Sequence, residues 1–118
     1  MLTEQPLLIT TLPVTFNALK NTFVRIEGDV FQGIGGRVLG VITADTNANT
    51  NAPVIVSGIA LVKTGSAIIK GRSVAHNVNG LAVPCTVGDT IAGLALDTAT
   101  GAGQLIRILL HAGAIYVE

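Results

Sequence analysis

Charge is scarce in this 118-residue chain: seven basic and seven acidic residues make 12% of the total, about half the usual share. The two signs cancel and neither is clustered. A nucleic-acid surface needs a basic stripe, best with aromatic rings for stacking, so that class is excluded. Aromatics are equally thin, with Phe16, Phe23, Phe31, Tyr116 and no tryptophan. The lone cysteine, Cys85, excludes an internal disulfide framework. No apolar run approaches the roughly 20 residues of a membrane helix. The start, Met1-Leu-Thr-Glu-Gln-Pro6, lacks the basic residues and small-residue cleavage site of a secretory signal, so synthesis in the cytoplasm is expected. Clean helical periodicity over ten residues is missing as well.

Aliphatic side chains remain, and hydrophobic residues reach 49%. A chain of 12.0 kDa is one domain, and surface scaling gives about 6,000 Å² exposed when folded, enough burial for one aliphatic core. So little charge leaves a monomer poorly protected against association. Much of the surface is therefore expected to lie against protein, in a homo-oligomer or a larger assembly.

The most informative segment is Ile91–Leu110, two apolar strands around a polar loop with Asp97, Thr98, Thr100, Gly101 and Gly103. Asp caps such a turn and Gly supplies positive φ. A looser copy lies upstream: Val38-Leu-Gly40-Val matches Ile91-Ala-Gly93-Leu, then Asp45-Thr46 opens an Asn/Thr loop to Pro53, read as surface with no core residue. Gly113–Val117 echoes Gly58–Val62. Residues 1–13 stand apart, because Pro6 and Pro13 bracket an extended stretch that prolines keep from helix. It reads as either an edge strand or an arm lying on a neighbour, with residues 14–118 as the single β domain. Val14–Phe16 and Thr22–Ile26 read as short strands around a turn at Asn17, Lys20 and Asn21. Asn77-Val-Asn-Gly80 reads as a type I′ turn. The predicted fold is all-β: a small barrel or sandwich of short antiparallel strands, with a hairpin unit used twice and an extended N-terminal arm.

Catalytic chemistry is nearly absent. Gly33-x-Gly35-Gly36 lacks the Gly-Lys-Ser/Thr ending and the following helix of a phosphate loop, and reads as a bend. His76 and His111 have no metal-ligand spacing; His76 reads as solvated and His111 as a possible subunit contact. Cys85 has no local base and reads as a small buried hydrophobe. Asp89 and Asp97 sit at strand ends as turn residues. Ser57, Ser66 and Ser73 lack a nucleophile-elbow context. No enzyme activity, cofactor, metal or small-molecule substrate is expected. A carbohydrate- or ligand-binding β-module on a particle surface is the alternative, against which stands the lack of Trp. A biotinyl- or lipoyl-type carrier would need Lys63 or Lys70 at a modification site, and neither has the flanking residues.

Thr15-Phe-Asn-Ala18, Phe23-Val24, Arg37-Val-Leu-Gly-Val-Ile42, the Asp/Thr/Asn/Ala loop before Val54–Val62, Ser66–Gly71, Asn79–Pro84 and Ile91–Leu96 with Leu105–Leu110 follow in one order. That series, over roughly residues 14–110, resembles the small capsid cement or head decoration proteins of tailed bacteriophages. The resemblance implies a structural protein on the outer surface of the assembled head, bound to the major capsid protein, commonly as a trimer. It implies a head-binding or subunit surface in the N-terminal segment, with Leu7, Leu8, Ile9, Leu12 and Phe16 as candidates. Neither nucleic acid nor membrane is an implied partner.

Overall fold

Alternating apolar and polar side chains, punctuated by glycine and asparagine, fold the chain into eight strands with no helix among the described residues. The computed structural model describes residues 5–25, 27–28, 38–86 and 91–110, without the side chains of 5–7. The Gly33–Gly36 bend, Phe31, Asp89, His111, Tyr116 and the Gly113–Val117 echo lie outside them. The strands are β1 (Gln5–Val14), β2 (Phe23–Arg25), β3 (Val38–Ile42), β4 (Thr50–Lys63), β5 (Ser73–His76), β6 (Ala82–Pro84), β7 (Gly93–Ala95) and β8 (Leu105–Leu110). They form one antiparallel sheet in the order β2-β3-β4-β8-β7-β5-β6, with β1 on the other side of β4. The sheet curls into a nearly closed barrel. Its ends meet where Ala82 forms a parallel bridge with Thr64 and Phe23 N–H donates to Gly80 O at 2.8 Å. The accessible surface is 6126 Å², close to the size expected of one globular domain.

The hairpin repeat is real and extends further than the sequence match. Val24 pairs with Gly40 as Val74 pairs with Gly93. Ile42 pairs with Val54 as Ala95 pairs with Ile108. Thr10 faces Val54 as Ala60 faces Ile108. The turns correspond too: an isolated bridge joins Ala18 to Thr46, and another joins Ile68 to Ala99. Asn21 N–H donates to Ile42 O, and Gly71 N–H to Ala95 O, both at 2.8 Å. Asn21 (φ 67°) and Gly71 (φ 91°) take the left-handed conformation, as do Asn49 (φ 64°) and Gly103 (φ 82°) at the second corner. Asn21 Oδ1 is buried without a hydrogen-bond partner, a burden that glycine avoids at 71. β4 belongs to both units. Its first half closes the first unit, and its second half opens the next.

Two cores follow from the duplication. Val14, Ala18, Val24, Ile42, Ala52 and Val54 make the first unit's core. Their counterparts, among them Ile68, Val74, Ala95, Ile106 and Ile108, make the second. Phe23, Val38, Val41 and Ile55, from the other face of the first unit, join that second core and lock the units together.

Five local readings change. Val14–Phe16 is not a strand of its own: Val14 closes β1, and Thr15 and Phe16 bend away from it. Ala52, placed in a surface loop by composition, is fully buried, because β4 begins at Thr50 and pairs Ala52 with Leu12. The Asn77–Gly80 turn has positive φ at Gly80 only (76°), so it is not type I′. The Asn77 carboxamide explains this, accepting from the N–H groups of Asn79 (2.9 Å) and Leu81 (3.0 Å). His76 is buried rather than solvated, with Nδ1 2.9 Å from Asn77 O. Cys85 is half-buried at the end of β6.

Asp97 does more than shape a turn. Its Oδ2 accepts from the backbone N–H of Arg107 at 2.9 Å and from Arg107 Nε at 3.0 Å, while Oδ1 accepts from Nη2 at 2.9 Å. The carboxylate thus continues the β7–β8 ladder beyond Ala95. At the matching place in the first unit stand Ala44 and Pro53, and proline has no N–H to satisfy. The guanidinium donating to Asp97 holds its carboxyl below the ordinary carboxylate range, outweighing desolvation. Its contribution is therefore complete at neutral pH and lost as pH falls through that lowered value. Asp97→Ala should lower the thermal midpoint at pH 7, and the gap from the parent should close on acidification. Adding Arg107→Pro, the first unit's solution, should recover most of the loss. A double variant less stable than Asp97→Ala would argue against the equivalence.

Candidate functional site

β1 carries no charged residue, and β4 is its only strand partner among the described residues. At its C-terminal end the outer edge meets Gly28, whose carbonyl accepts from Thr15 N–H at 2.9 Å and which lies close to Pro13 O; no described strand pairs with the rest of it. Proteins ordinarily protect such an edge with charge, a bulge or proline. Here Pro6 and Pro13 sit near the ends, and the register slips between Pro6 and Leu8 and between Leu8 and Ile9. Leu8 and Ile9, 56% and 53% exposed, lie beside that irregularity. Leu12 and Phe16 instead pack, half-buried, against the first core. Leu7 lies in β1, with its side chain outside the described residues. Four of the candidates thus divide: Leu8 and Ile9 are exposed on a strand that pairs with β4 alone among the described strands, while Leu12 and Phe16 pack against the first core.

A second bare surface was not read from the sequence. In the first unit Phe23, Val41 and Ile55 lie side by side across three strands, and all are buried. Their counterparts Ser73, Leu94 and Leu109 align in the same way across β5, β7 and β8, and Ile59 extends the row. Leu94 is 37% exposed and Leu109 41%. The face that the first unit covers with the second is left open on the second. Matching Gly40 with Gly93 contained this signal, since the same register assigns Val41 to Leu94.

Between the units lies a cleft of about 420 Å³. Phe16 and Leu19 from the first corner, and Val78 and Leu81 from the β5–β6 turn, supply its apolar walls. Lys20 and Lys63 stand at its border, and no acidic side chain among the described residues lines it. Gly80 is needed here, because a Cβ would come within 2.7 Å of Phe23 O. Among the described residues no group of three or more His, Cys, Asp or Glu side chains is placed to hold a metal ion.

No curated protein matches the chain in sequence. Its fold is similar to a solved structure, the N base of head fiber gp8.5 in bacteriophage phi29, at TM-score 0.65 and 19% identity, covering 88% of this chain and 93% of that one. The model of the phage cement protein family matches residues 7–110, from β1 through the second hairpin. The family match carries a capsid-associated structural role in a phage: this chain is a member of the phage cement protein family.

Proposed function

We propose that the protein is a non-enzymatic cement protein that binds the outer surface of the assembled head through the major capsid protein and clamps neighbouring subunits, probing neither DNA nor a small ligand. The observation that carries this reading is the uncharged strand β1, which pairs with β4 alone among the described strands. A ten-residue strand with no Lys, Arg, Asp or Glu, displaying Leu8 and Ile9, is suited to adding onto a strand of another chain. Main-chain bonding would give affinity, and the alternate side chains would give register.

Self-association completes the reading. The Ile59–Leu109–Leu94 row is suited to cover by a second copy, and the family resemblance favours a trimer. Three linked copies turn modest contacts into high avidity. Synthesis in the host cytoplasm precedes assembly onto the head.

Co-sedimentation of the purified protein with undecorated heads of the phage that encodes it tests the proposal. Saturation at a fixed ratio to the major capsid protein is expected, with light scattering giving a three-chain mass for the free protein. Lack of association with both expanded and unexpanded heads would overturn the head-binding reading, and a monomeric mass would overturn the trimer.

A further inference from the structure

The geometry points to the inter-unit cleft as a docking site for an extended, acidic peptide segment that buries one bulky apolar side chain. The cleft has the size for such an anchor, at about 420 Å³, and its walls are apolar at Phe16, Leu19, Val78 and Leu81. Leu19 and Val78 are exposed, so the cleft leaves apolar surface in water until it is filled. Two cations border it. The described residues form ion pairs between Arg25 and Glu27 and between Arg107 and Asp97, neither of which involves Lys20 or Lys63. The nearby Asp45 carboxylate accepts from the backbone N–H of Lys20 at 2.8 Å. Among the described residues, then, two lysines at the border stand against one nearby carboxylate, a net positive charge.

An apolar anchor flanked by carboxylates matches both features. Burial of the anchor supplies affinity, and the lysines fix sign and direction. A basic segment would meet two like charges. A small neutral ligand would leave both ammonium groups unused.

The feature arises from the duplication. Ile69-Lys70 occupies the place in the second unit that Leu19-Lys20 holds in the first, and Ile69 is likewise exposed. Among the described residues, only the first corner faces the β5–β6 turn of the other unit.

The identity of the partner as a head protein rests on the proposed function, whereas the chemistry of the segment does not. The test has two arms. In the first, the ¹⁵N-labelled protein is titrated with a blocked pentapeptide of alternating glutamate and leucine, and with its lysine–leucine counterpart. Amide shifts are expected at Leu19, Lys20, Lys63 and Val78–Leu81 with the acidic peptide only, and they should disappear in the Lys20→Glu/Lys63→Glu variant. Both lysines are exposed, so the variant should keep the parent's unfolding midpoint. Equal shifts with the basic peptide, or none at the cleft at millimolar peptide, overturn the docking proposal.

In the second arm, the variant is co-sedimented with heads. A tenfold or greater loss of binding, with the parent bound, is expected. A variant that binds as the parent does would overturn this role on the head and leave head binding intact. A parent that fails to bind heads would overturn the head-binding reading, and the peptide arm would still decide the cleft.

Discussion

Gly40→Ala is expected to destabilise the protein by about 3 kcal/mol or more, at or beyond the upper end of ordinary overpacking. A Cβ on Gly40 would overlap the Ile55 carbonyl oxygen and press on Val54 Cγ1. The carbonyl belongs to backbone in the middle of β4 and has no rotamer to escape into. The equivalent Gly93 is restricted in the same way, with Ile108 Cγ2 and Leu109 O each 2.5 Å from an added Cβ. Gly101 is the control: nothing lies within 4 Å of its Cβ position. Gly101→Ala should change stability by no more than about 0.5 kcal/mol. Urea unfolding of the three variants gives the comparison. Near-equal midpoints for Gly40→Ala and Gly101→Ala would contradict the close approach of β3 to β4 and, with it, the paired glycines that define the repeat.

Leu8→Lys/Ile9→Lys should reduce head binding by tenfold or more while leaving the barrel folded. Both side chains are more than half exposed, so their replacement removes little core contact, and surface changes of this kind usually stay within about 0.5 kcal/mol each. Charge on a free edge is also the ordinary natural defence against strand addition. Deleting residues 2–12 would be a poorer experiment. It removes Leu12 from the first core and exposes the edge of β4 as well as the proposed contact. Co-sedimentation at matched protein concentration reads the effect, with thermal unfolding as the check on folding. Undiminished binding by the lysine variant would remove the edge from the head-binding surface.

Most strands and hairpins are legible from short-range rules, although the Asn77–Gly80 turn keeps its place without the type I′ geometry that Asn-Gly suggests. Gly40 and Gly93 lie in the same apolar context because each meets a neighbouring backbone, and this made half of the repeat visible. The other half was hidden. Asn21 and Gly71 meet the same left-handed requirement with different residues, and Ala18 and Ile68 fill the same core position at different sizes. The sites were less legible for a similar reason. Leu8 and Leu12 belong to one apolar stretch, and only strand register separates the exposed side chain from the packed one. The row at Leu94 and Leu109 reads as ordinary core in sequence, since only the fold separates it from its buried counterpart at Val41 and Ile55. The cleft joins residues far apart in the chain, and local patterning carries no trace of it.

The continuity of β4 through both units has a mechanical consequence. At Ile59 the strand is flanked by Gln5 of β1 on one side and Leu109 of β8 on the other. Tension applied along β1 passes into β4 through a ladder that runs from Gln5 to Val14, and from β4 into β8 without crossing a loop. Those bonds are loaded in parallel, as in a lap joint, rather than peeled apart one at a time. A shell under pressure from within pulls its fastenings sideways as neighbouring plates spread, and a shear-loaded strand is the arrangement that yields last.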